Sequence, residues 1–230
     1  MMQAKLRGTG VGWVLGTGIV ALSVFGVWIT AHATWVAAHR GDTSFAGTFK
    51  YPTWSIVHFV PALFFASILP FQLWPGSRRR YPRLHRKAGR MAVLAGFLFA
   101  LTGLILPFVM PARPFSERAF MTTVSCLFLM LLARGVVAAR RRDFTTHRVC
   151  MLRVTALSMS PLTDRVIFPF FAAAGIDSLP RFWDLFMTAV WFSMVMNVLI
   201  AEWWIRRGIG RAAESRILEP SGIAVAIPSR

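Results

Sequence analysis

MAVLAGFLFALTGLILPFVMPA, residues 91–112, runs for 22 residues without a single charged side chain. At the rise of an α-helix such a run covers about 30 Å, the thickness of the hydrocarbon core of a bilayer. Its apolar residues are continuous and do not alternate with polar ones, which predicts a membrane-spanning helix and not a barrel strand. Five more stretches read the same way on either side of it. Residues 11–38 and 54–75 carry no charge, and 119–139 is broken only by Arg134 near its end, where a long side chain snorkels to the interface. Residues 149–174 form the least hydrophobic of the six, with Arg153, Asp164 and Arg165 inside it, and 182–205 holds Asp184 and Glu202 near its two ends.

The composition agrees. Of the 230 residues, 56% are hydrophobic and the mean hydropathy is +0.56, more apolar surface than a water-soluble domain can bury. The net charge of +17 does not indicate nucleic acid, because the cations sit in short clusters between the apolar runs. Placing the N-terminus inside puts 20 of the 26 Lys and Arg on the cytoplasmic side, notably the Arg78–Arg90 and Arg134–Arg153 groups, and leaves six outside. That asymmetry predicts both termini in the cytoplasm. Trp35, Trp54 and Trp183 then fall at the outer interface, and Trp13, Trp74, Trp203 and Trp204 at the inner one. The expected architecture is an all-α, six-helix transmembrane domain over residues 1–206, N-in and C-in, followed by a basic, poorly ordered cytoplasmic tail over 207–230. Ala31-His32-Ala33 would fit a signal-peptide cleavage site, but the apolar run before it is about twice the usual length. Cys126 and Cys150 both lie in apolar stretches and imply no disulfide framework.

Ionisable groups inside spans are costly and therefore point to function. Helical phase places Ser55, His58 and Gln72 on one stripe, with Pro61 and Pro70 bending the helix near the polar groups. It aligns His147, Ser158 and Arg165 on another, with Asp164 a quarter-turn away, and Asp184, Thr188 and Glu202 on a third. Each group alone also fits a structural role: Arg165 paired with Asp164 or Asp184, or Gln72 bonding a kinked backbone. Gly89, Gly96 and Gly103 recur every seven residues and, with His85 and Ala92, form a narrow face. Such a face favours close packing of a neighbouring helix, as does the Gly12/Gly16 pair, and it would also admit a flat ligand.

The five histidines sort by depth. His32 and His58 lie near the outer ends of their spans, His85 and His147 at the inner starts of theirs, and His39 falls in a loop. His85 and His147 sit at helix N-termini flanked by Arg86, Lys87 and Arg148, a setting that favours the neutral imidazole able to ligate a metal or haem iron. The same arginines suit a haem propionate or the phosphate of an anionic lipid. His58, with His32, and the His85/His147 pair are thus candidate haem b sites, and His58, His85 and His147 candidate metal ligands, against the plainer reading of interfacial residues bonded to headgroups. Nucleophile-elbow, P-loop, HExxH and CxxC motifs are absent.

Leu69-Pro70-Phe71-Gln72 after His58, Leu84-His85-Arg86 with Gly89-Arg90, and Arg141-Arg142-Asp143 followed by His147-Arg148, Met151 and Arg153 form a recognisable set. With Arg165 a few turns on, the region from His58 to Arg165 resembles the bacterial predicted membrane proteins of domain of unknown function 2306. Where that pattern places an aromatic before the methionine, this chain has Cys150. The resemblance implies a bacterial inner-membrane location and a multi-helix fold, and carries no established activity. Three classes of function are expected: a haem b or quinone-linked electron-transfer protein, a proton-coupled transporter, and a non-catalytic scaffold or lipid-binding protein with anionic lipids on its cytoplasmic face.

Overall fold

The computed structural model describes residues 52–109, 114–175 and 178–218. The span at 11–38, with Gly12, Gly16, His32 and His39, lies outside them, as does the Ser55 side chain. Among the described residues the chain is helical with no strand: α1 (Pro52–Leu73), α2 (Pro75–Arg80), α3 (Pro82–Val109), α4 (Phe115–Arg140), α5 (Phe144–Ala172) and α6 (Leu179–Leu218). These six helices do not correspond one for one to the six spans read from the sequence. Five of the spans have their helix, and the sixth described helix is the short α2, inside what reads as a basic loop.

Among the described residues four helices are long and apolar enough to cross a membrane, in the windows Ile56–Leu73, Pro82–Val109, Phe115–Arg140 and Pro180–Arg207. The exception among the long helices is α5, whose 29 residues cover about 43 Å. Its middle is covered, because it is packed between α4 and α6 and every residue from Val154 to Ser160 is buried, while the Arg153 and Arg165 side chains stay 38% and 27% exposed. The long helices run up and down in chain order, α1 against α3, α3 against α4, α4 against α5 and α5 against α6, while α4 and α6 meet at only a few points. Short connections force this antiparallel order.

The turns are built from identifiable parts. Pro75 opens α2, where its missing N–H costs nothing. Between α4 and α5, Arg142 takes the left-handed conformation (φ 62°), and the Asp143 carboxylate then caps α5 by accepting from the Thr146 amide at 3.0 Å. At the other end of α5, Gly175 (φ 94°) supplies the turn towards α6. α6 continues past residue 205, where the sixth span was drawn, and stays helical through Leu218.

The main core gathers Phe65 of α1, Ala95 and Ala100 of α3, Phe128 of α4 and Val154 and Leu157 of α5. Phe128 is 1% exposed and meets Phe65 and Phe99 edge to face, with centroids 5.6 and 5.7 Å apart. Gly96 makes this possible, since a Cβ there would stand 3.0 Å from the Phe65 ring. The glycine face of α3 is therefore used for packing: Gln72 lies over Gly89, Phe65 and Phe128 over Gly96, and Ser125 and His58 over Gly103. It leaves no slot for a flat ring on that face. A second cluster, Phe120, Met187 and Val190, joins α4 to α6 towards the other end.

Candidate functional site

α2 lies at the end of the bundle that also holds the starts of α3 and α5 and the end of α4. There Ser77, fully buried, donates its hydroxyl proton to the Trp74 carbonyl at 2.8 Å. Having a single proton, it accepts from the His85 ring, whose Nδ1 is 3.0 Å away. Gln72 reaches across from α1 and donates to the His85 carbonyl at 3.1 Å. His147 Nδ1 is 2.9 Å from the Gly135 carbonyl, an acceptor only, so that nitrogen carries the proton. Gly135 is what lets α5 come so close to α4, because a Cβ there would collide with the Met151 methyl and stand 3.1 Å from Cys150 Cβ.

His85 lies within electrostatic reach of Arg78, His147 and Arg86, and Arg78 within reach of Arg148. Burial first, and then the charges of Arg148 and Arg79, lower the Arg78 guanidinium from its ordinary value. One end of the bundle thus gathers two imidazoles and a set of arginines from three elements. His85, His147, Arg86 and Arg148 are brought to this end, with Ser77 and Arg78 added by α2.

His58 is the third histidine, 6% exposed and packed against Phe59 and Phe99 at 5.5 and 5.0 Å between ring centroids. Its Nδ1 is 2.9 Å from Thr102 Oγ1. Thr102 donates its own proton to the Leu98 carbonyl at 2.7 Å, so it too accepts from the imidazole. Thr102 is 17 residues along α3 from His85, which separates the two histidine levels by roughly 25 Å. In its neutral form each of the three rings therefore holds its proton on Nδ1, tied to an oxygen, and carries the lone pair on Nε2. With His58 and His85 so far apart, the three candidate metal ligands do not surround one ion. Among the described residues no three His, Cys, Asp or Glu side chains come together as a metal site.

The remaining polar residues lie on α5 and α6, some of them joining the two helices. Arg153 grips Glu202 through two hydrogen bonds, Nε to Oε1 at 2.5 Å and Nη2 to Oε2 at 3.0 Å. Further along, Asn197 donates to Thr163 Oγ1 at 3.1 Å, Thr163 donates to the Met159 carbonyl, and Ser160 donates to the Val190 carbonyl at 3.3 Å. Asp164, 2% exposed, is paired with Arg165 at 2.9 Å, and Arg165 also reaches the Pro161 carbonyl. Ser158, placed by phase with His147 and Arg165, closes locally on the Thr155 carbonyl. Asp184 and Thr188 are exposed, joined by a hydrogen bond from the Thr188 hydroxyl to the Asp184 carbonyl, and do not meet Glu202. Of the stripe drawn on α6, only Glu202 turns to a partner helix.

Sequence reasoning missed Ser77, Thr102, Thr163 and Asn197, and singled out Arg153 and Glu202 without joining them. The signal for that pair emerges only with the register of α5 against α6: in antiparallel helices partners add to a nearly constant number, which 153 with 202 and 163 with 197 both do. Ser77 offered none, being one serine among arginines.

A family model described as "Predicted membrane protein (DUF2306)" matches residues 55–205, which takes in most of α1, all of α2 to α5, most of α6 and every polar residue placed above. No curated protein and no solved structure matches the chain.

Proposed function

We propose, for a chain that belongs to the DUF2306 family of predicted membrane proteins, that it works in a bacterial cytoplasmic membrane, with both termini inside, and holds haem b to carry electrons across the bilayer. One observation carries this reading. At two levels roughly 25 Å apart, buried or half-buried imidazoles have Nδ1–H fixed to an oxygen and Nε2 left as the basic nitrogen. Ligating histidines are oriented in this way, since the bond at one nitrogen fixes the tautomer and raises the basicity of the other.

Haem, when bound, supplies a one-electron couple whose potential its ligands and surroundings tune. The residues have distinct tasks. His85 and His147 are the ligands at the α2 end, with Arg78, Arg86 and Arg148 placed for propionates or for the headgroups of anionic lipids. His58 marks the other level. The ring belongs beside the histidines and off the glycine face of α3, which protein side chains fill. The orientation is supported by the basic groups of α2, α3, α4 and α5 gathering at the α2 end, as the positive-inside rule requires of a cytoplasmic face.

The visible spectrum of the detergent-purified full chain tests the proposal. A sharp Soret band with a reduced α-band is expected, and His85→Ala or His147→Ala should remove the α2-end component while sparing membrane insertion. A colourless protein, purified from cells supplied with haem precursor, would sink the reading.

A further inference from the structure

α4 and α6 both pack on α5 but scarcely on each other, and the space left between them is a groove of about 210 Å³. Its form follows from three matching helical turns. At one end lie Arg153 and Glu202. One turn on along α5 and α6 come Leu157 and Val198, with Ala201 beside the ion pair and Leu127 of α4 closing the apolar side. The groove is thus polar at the end nearer the basic face and apolar towards mid-membrane.

The polar end is chemically selective. Arg153 spends Nε and Nη2 on Glu202, and among the described residues its Nη1 makes no hydrogen bond although the side chain lines the groove. The Arg153 side chain is 38% exposed, so this donor is open to an acceptor that enters the groove. The pair is neutral as a unit. A phosphate or carboxylate headgroup would meet the Glu202 carboxylate, and a cationic head would meet Arg153. A neutral head with a carbonyl oxygen takes the free Nη1 donor, and one with a hydroxyl is also served by the carboxylate.

We infer that this groove binds a membrane-soluble quinone, its ring at Arg153 and Glu202 and its isoprenoid tail leaving between α4 and α6. The inference rests on the electron-transfer reading for its physiological sense, giving that reading a lipid-soluble partner, but binding at the groove needs none of the histidines. Its test is therefore separate, and it is run on His85→Ala protein as well as on the native chain.

The full-length protein in phosphatidylcholine nanodiscs is titrated with a benzoquinone bearing a decyl tail, read by quenching of tryptophan fluorescence. Saturable binding is expected, with the half-saturating concentration unchanged in His85→Ala. It should rise at least tenfold in Ala201→Phe, which fills the groove beside the ion pair. Leu127→Phe fills it from α4 and serves where Ala201→Phe does not insert. The double variant Arg153→Leu/Glu202→Leu removes the polar end without stranding a charge and should also weaken binding at least tenfold. Unsaturable quenching, or no change in the groove-filling variants, would overturn the inference. So would equal displacement by decanol, which would make the groove an acyl-chain slot, and so would displacement by phosphatidylglycerol, which would make it an anionic-lipid site.

Discussion

Arg165 stands one residue beyond the carboxylate it neutralises, and the two differ sharply in environment: Asp164 is 2% exposed, the arginine side chain 27%. The arginine also holds the Pro161 carbonyl, near a proline that interrupts the helix's own bonding. Removing one partner of a buried pair costs about 3–5 kcal/mol, and the partial exposure of Arg165 places Arg165→Leu towards the lower figure. Thermal denaturation in detergent should show a lower midpoint for Arg165→Leu, largely restored in Asp164→Asn/Arg165→Leu. A single variant that expresses normally and melts like the native chain would show the pair to be unimportant. This pairing was legible in the sequence as one of two alternatives, because adjacent residues on a helix can meet without any knowledge of the fold. Arg153 with Glu202 was not, because 49 residues separate them and only the register of α5 against α6 brings them together.

α5 shows how an element can be read correctly and its place in the fold still be hidden. By hydropathy it is the weakest span, yet it is packed on both sides, with a seam of Ser, Thr, Asn and charged residues facing α6. In lipid, where apolar burial gives little drive for helices to associate, such hydrogen bonds and small residues hold helices together. Its start depends on Asp143, whose carboxyl is held below its ordinary 3.8 chiefly by hydrogen bonding from Thr146. A depressed carboxyl contributes stability that is present above its unfolded value and lost as the pH falls through the folded one. Asp143→Ala should therefore speed amide exchange in the first turn of α5 at neutral pH. The difference from the native chain should narrow as the pH drops below about 4. An excess exchange, corrected for intrinsic rate, that stayed constant from about pH 5 to pH 2.5 would count against the cap.

At the scale of the molecule, the polarity of a soluble protein is inverted. Among the described residues large apolar side chains such as Leu94, Met130, Phe170 and Leu199 cover the outside, more than half of each exposed, while His58, Asp164 and eight serines and threonines are buried. Among the described residues every buried side-chain nitrogen and oxygen has a hydrogen-bond partner, as the absence of water in a bilayer requires. Orientation is a property of this scale too. Reporter fusions after Lys50, Pro114 and Pro180 should read as external and those after Arg80, Arg142 and Gly208 as cytoplasmic. An external signal after Arg80 would reverse the topology and place the histidine pair at the opposite face.

By itself the sequence determined the membrane as solvent, the four described helices apolar enough to cross it and the family, because a continuous apolar run and a helix's own hydrogen bonds are local properties of the chain. It also marked His58, since an ionisable residue in such a run stands out wherever it points, and His85 and His147 at the basic starts of two others. Only the tertiary structure decided that the α3 glycines are covered by Gln72, Phe65 and Ser125, that Ser77 in a basic loop anchors His85, and that α4 and α6 part to leave a groove at Arg153 and Glu202. These depend on the rotation and register of one helix against another, which many packed side chains set together and no single stretch of sequence encodes.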